Sequence, residues 1–284
     1  FDWDIPFFSP SSANSCPREL YEKIKGAKKD GEQKQPHQGR WTRIGTAWGD
    51  VLQRDLLFIE KHYEKEFGQK PPFVPEHTDE GFPMWEDFIM KQHVVEHKGH
   101  KFSLLGTSDG ILRHIDGTRI GLEIKSKQTT AAQTSEYSMR EPKEDHVKQC
   151  IAYAIMYGLD RYLIVYGNLS KKSWVMSEED YKKTPDLRVF EIVITDEMKE
   201  GLLDYFADIM ERVATDNPPP LDVTKWTFNN YKSACAASLT DEEFDEVKQQ
   251  VRAIMKSSSP EWMKNSCYEA YQDLYERRQA MRDA

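Results

Sequence analysis

A chain of 284 residues is long enough to bury a full core, either as one large domain or as a domain with an appendage. With 31% charged and 38% apolar residues it has a soluble, globular composition, and no apolar run approaches the length of a helical membrane span. The net charge of −9 excludes a wholly basic, nucleic-acid-coating surface, although local charge can differ from the total.

The start at Phe1 rather than Met reads as a trimmed chain. Residues 1–8 lack a basic start followed by a continuous apolar segment, so they are not a signal peptide. Ser9 to Ser12 read as the entry to a short helix at 16–24, with Leu20, Tyr21 and Ile24 on its apolar face. Lys23, Lys25, Lys28, Lys29, Lys34, Arg40 and Arg43 make this region basic, whereas acids concentrate at 60–87 and 240–246. After a polar loop at 31–39, Gly45 precedes a helix to about Tyr63. Trp48, Leu52, Leu56, Ile59 and Tyr63 follow helical spacing and are expected in the core, with Asp50, Arg54 and Leu57 on another stripe. Residues 68–87, with Pro71, Pro72, Pro75 and Pro83, read as an ordered loop.

Strands are expected at 92–96, 102–105, 108–114 and 118–125, the last two joined by a turn at Asp116-Gly117. In the last, Ile120, Leu122 and Ile124 alternate with Gly121, Glu123 and Lys125. Period 2 therefore puts the aliphatic set on one face and the acid and base on the other. Asp109, from the preceding strand, completes two carboxylates and a lysine; with the Ile124 carbonyl they make a hard oxygen site suited to Mg²⁺ or Mn²⁺.

The polar segment 127–138, starting with Lys127, reads as a loop that either closes over a bound substrate or is merely mobile. A helix at 145–157 carries Ile151, Ala154 and Ile155 as its packing stripe, with Gln149 and Tyr153 sharing another face; Gly158 ends it before a strand at 162–166. Strands at 174–176 and 189–194 and a helix at 196–213 follow. The break at Asn217-Pro218-Pro219-Pro220 leads to two helices, 240–256 and 260–282, expected to cap the sheet. Strand–helix–strand alternation fits an α/β fold, a mixed central β-sheet flanked by helices, as residues 1–235 with a helical C-terminal extension at 236–284. Cys16, Cys150, Cys235 and Cys267 show no Cys-x-x-Cys spacing, so neither a zinc ribbon nor a disulfide framework is expected and a reducing cytoplasm is.

Asp109 … Glu123-x-Lys125 resembles the PD-(D/E)XK nuclease superfamily, whose core is restriction-endonuclease-like. Four further pieces, in order, narrow the resemblance to the RecB-like and YqaJ-like branch with its viral recombination exonucleases of the lambda-exonuclease type. They are Ser15-Cys16-Pro17-Arg18-Glu19-Leu20-Tyr21, Gly45-Thr46-Ala47, Glu96 on the strand before Asp109, and Gln149-x-x-x-Tyr153. The resemblance, over roughly residues 9 to 167, implies a Mg²⁺- or Mn²⁺-dependent deoxyribonuclease acting on linear DNA with free ends in recombination, repair or replication. In it Asp109 and Glu123 hold metal, Lys125 orients or deprotonates the attacking water, and Gln149 and Tyr153 help place substrate and Lys125.

The family commonly has a metal-ligating histidine after Gly-Thr-Ala-x. Here Gly49 stands there, with Asp50 next to it, so Asp50 and Glu96 are the candidates for a further ligand. Some relatives hold an iron–sulfur cluster with one early cysteine and a tight C-terminal trio. Cys16 matches the early position but the trio is missing, so no cluster is expected. Arg40, Trp41, Arg43 and Lys127 are the candidates for contacting DNA. A ring-shaped homo-oligomer would account for processivity, and the expected setting is the cytoplasm, that of a bacterial host if the chain is viral. An endonuclease or nickase on the same fold, or a silent DNA-binding protein, are the other readings.

Overall fold

The computed structural model describes residues 1–31, 35–170 and 173–282; Lys34 of the basic segment lies outside them. The chain opens with β1 (Phe7–Phe8), a 3-10 turn and α1 (Pro17–Ile24). The next helix, α2 (Pro36–Phe67), starts well before Gly45, because Pro36 suits a first helical position and Gln35 and Gln38 cap it reciprocally. Gly68, in the left-handed region at φ 70°, ends it.

Strands β2 (Phe73–Pro75), β3 (Lys91–His97), β4 (His100–Gly106), β5 (Gly110–His114) and β6 (Arg119–Lys127) precede α3 (Glu144–Tyr157), and β7 (Arg161–Asn168) follows it. After α4 (Glu178–Lys183) come β8 (Leu187–Val193) and α5 (Asp196–Ala214). Residues 174–176 are not a strand, and Trp174 is fully exposed. The architecture is mixed α/β, with two sheets rather than one: β1-β4-β3 and β2-β5-β6-β7-β8. The chain passes from the first sheet to the second at residues 107–109, so Asp109 stands at the mouth between them rather than inside a strand. Within the second sheet β5 and β6 form the expected hairpin, closed by Gly117 at φ 91° and by Asp116, which accepts the Thr118 N–H at 2.9 Å. The parallel pair β6 and β7 requires a crossover, which α3 supplies.

The main core lies under α3 and α5, where Phe8, Phe102, Tyr162, Ile164, Tyr166 and Phe206 are fully buried. The opposite face of the five-stranded sheet is met only partly by α2. Of that helix only Gly49 and Gln53 are buried; Trp48, Leu52, Leu56 and Tyr63 are half-covered and Ile59 is exposed, which corrects their placement in the core. An apolar groove of about 340 Å³ remains between the helix and Ile124, Leu163, Val165 and Val189.

The C-terminal helices α6 (Lys232–Ser238), α7 (Asp241–Lys256) and α8 (Glu261–Arg282) do not cap the sheet. They build a second cluster with Cys16, Leu221, Trp226, Cys235 and Leu274, and the expected division at 235/236 falls inside α6. Arg18 on α1, wholly buried, ties this cluster to the rest. Its guanidinium donates to the Pro219 and Ser238 carbonyls at 3.0 and 2.6 Å and to Glu243 at 2.9 Å. Arg18→Ala would strand those acceptors, so a loss of about 3 kcal/mol is expected in urea unfolding. A loss below about 1 kcal/mol would mean the network is marginal. Among the described residues no helix is long and apolar enough to cross a membrane.

Candidate active site

Backbone pairing places the three central residues. Gly110 pairs with Leu122, so β5 begins opposite the middle of β6, with Asp109 just before it. There its Oδ2 accepts the Ile124 N–H at 2.6 Å. In a strand the N–H and C=O of one residue point to the same side, so the Ile124 carbonyl faces the same mouth. The preceding residue is fixed from below: Ser108 Oγ, fully buried, hydrogen-bonds the Tyr162 hydroxyl at 3.0 Å. That tyrosine lies flat against Gly121, where a Cβ would come within 2.1 Å of the ring, so the glycine is what admits the prop beneath Asp109.

Glu123 and Lys125 share the α3 face of β6, as the alternation requires. The Glu123 carboxyl has no exposure, and neither of its oxygens has a hydrogen bond of acceptable geometry, although Oε1 touches the Lys125 ammonium. Burial pushes this carboxyl up, Lys125 pulls it down, and Glu86 adds to the rise. Burial, then Glu123, raises Asp109 to about 7. For Lys125 burial acts downward, but Glu123 and Asp109 more than offset it, so the group stands above the ordinary lysine value as an ammonium. It also donates to Gln149 Oε1 at 3.2 Å; Tyr153, one turn further along α3, is buried and stacks on Tyr162.

Glu86, in the turn before β3, is the residue that sequence reasoning missed. Burial, then the charge of Asp109, raises its carboxyl to about 7. Gln53 joins the two, its Nε2 donating to Glu86 Oε2 at 2.6 Å and to the Asp109 carbonyl at 2.8 Å. The segment 68–87 reads as a proline-rich loop, and nothing in its spacing marks Glu86 among Glu76, Glu80 and Asp87. Neither expected further ligand is brought to this group. Glu96 is exposed on β3, in register with Lys101 in the other sheet, and Asp50 is exposed on α2 while its neighbour Gly49 points inward.

Beyond Lys125 the mouth turns basic. Lys127 is buried with its Nζ 4.7 Å over the Tyr166 ring, and burial, then Lys143 and Lys125, lowers it to about 8. His146, whose Nδ1 meets the Tyr166 hydroxyl at 2.8 Å, is held neutral, lowered to about 3 by burial and by Lys125, Lys127 and Lys143. Lys127 and Trp41 border one cleft of about 420 Å³ with Gly45, Ser126 and Gln128. Arg40 and Arg43 stand exposed on the first turns of α2 nearby in sequence.

Among the described residues no three His, Cys, Asp or Glu side chains stand at ligand spacing. The donor set nevertheless fits a hard divalent cation: the fully buried Glu123 carboxyl, whose Oε2 has no partner among the described residues, and the half-buried Asp109 and Glu86 carboxyls, all of raised pKa, beside a strand carbonyl.

No protein-family model and no curated protein matches the chain. Solved structures do match, at low identity. SSO0001 is 15% identical with TM-score 0.42, covering 82% of this chain and 87% of its own. An alkaline exonuclease (LHK-Exo) from Laribacter hongkongensis is 13% identical with TM-score 0.38, covering 73% and 90%. A phage related exonuclease from Haemophilus somnus 129PT is 10% identical with TM-score 0.33, covering 74% and 95%. Likeness at this level leaves the functional reading to the geometry of the site.

Proposed function

We propose that this chain is a metal-dependent deoxyribonuclease, an exonuclease acting on the ends of linear DNA. The observation that carries the reading is the buried Glu123 carboxylate without hydrogen bonds, between Asp109 and Lys125 on one strand end. Lys125 compensates only Oε1; Oε2 has no partner among the described residues, and a buried carboxylate oxygen left unpaired is costly unless a further cation meets it.

Asp109, Glu123 and the Ile124 carbonyl would hold Mg²⁺ or Mn²⁺, with Glu86 as third carboxylate. The bound ion supplies neutralisation of the phosphoryl oxygens and activation of water. Hydrolysis joins a water oxygen to phosphorus as the bond to the 3′ or 5′ oxygen breaks, giving a phosphate and a hydroxyl. Lys125, an ammonium with only donors, orients that water and stabilises charge on the phosphoryl oxygens; Gln149 keeps its Nζ in place. Tyr153, buried against Tyr162 one turn along α3, would help hold Gln149 and through it Lys125.

Lys127 and the exposed Arg40 and Arg43 give a net acidic protein its local phosphate contacts, with Trp41 at the cleft wall as a surface for a base to stack on. Lys127→Ala is expected to weaken DNA binding in EDTA across all sequences. It should also reduce the slope of log affinity against log salt by about 1; an unchanged slope would remove Lys127 from the DNA path. The function itself is tested by incubating linear duplex DNA with the protein in Mg²⁺, Mn²⁺ or EDTA. Loss of DNA confined to the metal arms supports the reading, and intact DNA in all three rejects it.

A further inference from the structure

The 32-residue helix α2 buries two residues, Gly49 and Gln53, while its leucines stay half-covered. The one buried side chain larger than hydrogen on an otherwise peripheral helix is thus a polar amide, at 3% exposure. Burying an amide is unfavourable unless its donors are used. Both hydrogens of Nε2 have acceptors, and those acceptors belong to two separate segments, the Glu86 carboxylate and the backbone of Asp109. No hydrophobic gain explains this position, since Leu52 and Leu56 flank it and are less well covered.

From this geometry we infer that Gln53 is a positioning residue: it holds the Glu86 carboxylate at the Asp109–Glu123 mouth and thereby sets the affinity of the site for a divalent cation. The inference rests on reading those carboxyls as cation ligands. Glu86 lies in a turn outside any strand ladder, so the Gln53 hydrogen bonds are what tie its carboxylate to the Asp109 segment. A neutral donor is what such a carboxylate needs, because it adds no fourth negative charge and favours the ionised form. The second hydrogen bond, to the Asp109 carbonyl, makes the spacing between the two segments a property of one side chain. It also couples α2, and with it the Trp41 end that borders the Lys127 cleft, to the cation site.

The test is Mn²⁺ affinity by calorimetry, with no DNA present, on the wild-type chain, Glu123→Gln, Gln53→Met, Glu86→Gln and the Gln53→Met/Glu86→Gln double variant. Thermal unfolding in EDTA serves as the folding control. Gln53→Met is expected to weaken Mn²⁺ binding at least about tenfold. Glu86→Gln should do at least as much, and the double variant no more than Glu86→Gln alone, because Gln53 acts through Glu86. If Gln53→Met is unfolded, Gln53→Asn, which withdraws the same amide by one methylene, must show the loss. Binding by either folded Gln53 variant at wild-type affinity, with Glu123→Gln still abolishing it, overturns the positioning role and leaves the functional reading standing. Fully additive losses in the double variant overturn it too. No Glu123-dependent Mn²⁺ binding by the wild-type chain rejects the functional reading, and the role of Gln53 with it.

Discussion

Lys125→Ala is expected to slow DNA cleavage about a thousandfold while leaving Mn²⁺-dependent DNA binding within a few fold of wild type. The ammonium sits beside Glu123 and is steadied by Gln149, while β6 itself is fixed by its ladders to β5 and β7. Its removal therefore takes away an interaction made with the attacking water and the developing phosphoryl charge, leaving ground-state binding to the metal and to Lys127. The readout is single-turnover cleavage of an end-labelled duplex alongside anisotropy of the same duplex. Near-normal turnover would sink the role assigned to Lys125; equal loss of binding and cleavage would make it a phosphate clamp.

Asp109→Asn is expected to abolish cleavage and yet to stabilise the protein in EDTA. The folded-state value of Asp109, about 7, lies above its ordinary value of 3.8, because burial and Glu123 oppose its ionisation. A carboxyl raised in this direction costs nothing well below pH 3.8; its cost grows as pH rises from there and is complete above pH 7. Asparagine cannot ionise and keeps an oxygen for the Ile124 N–H. The variant should be more stable than wild type by about 2 to 4 kcal/mol in EDTA at pH 8, with the difference shrinking below about 1 kcal/mol near pH 4. Saturating Mn²⁺ should reverse the order, since only the wild-type site gains from binding. Urea unfolding at both pH values, with and without Mn²⁺, reads this. An Asn variant less stable than wild type in EDTA at pH 8 would mean that the mouth is not an electrostatically strained site.

The parts of this site that lie on regular strands were legible in the sequence, because alternation along 118–125 fixes which residues share a face whatever the rest of the chain does. The Asp116-Gly117 turn likewise determines the pairing that carries Asp109 toward Ile124. Helix α2 was read from its apolar spacing as a core element, but spacing says only that one stripe is apolar, not how much partner surface awaits it. Here the sheet face beneath stays partly open and the residue that matters on the helix is Gln53. Glu86 was illegible for a different reason: a turn has no period, and its carboxylate reaches the mouth through a long-range hydrogen bond to Gln53, 33 positions away. Two sheets, rather than one, follow from the break at 107–109, which alternation across 102–114 does not reveal. Arg18, in a motif quoted for its family resemblance, turns out to be the tie between α1 and the C-terminal helices.

The most direct measurement places linear duplex DNA and covalently closed circular DNA side by side, each with Mg²⁺, Mn²⁺ or EDTA, using the wild-type protein and Lys125→Ala. The account predicts metal-dependent loss of the linear molecule alone, absent in EDTA and in the variant. Cleavage of the circle would contradict the exonuclease assignment, and inertness toward both molecules in every metal would contradict the nuclease itself.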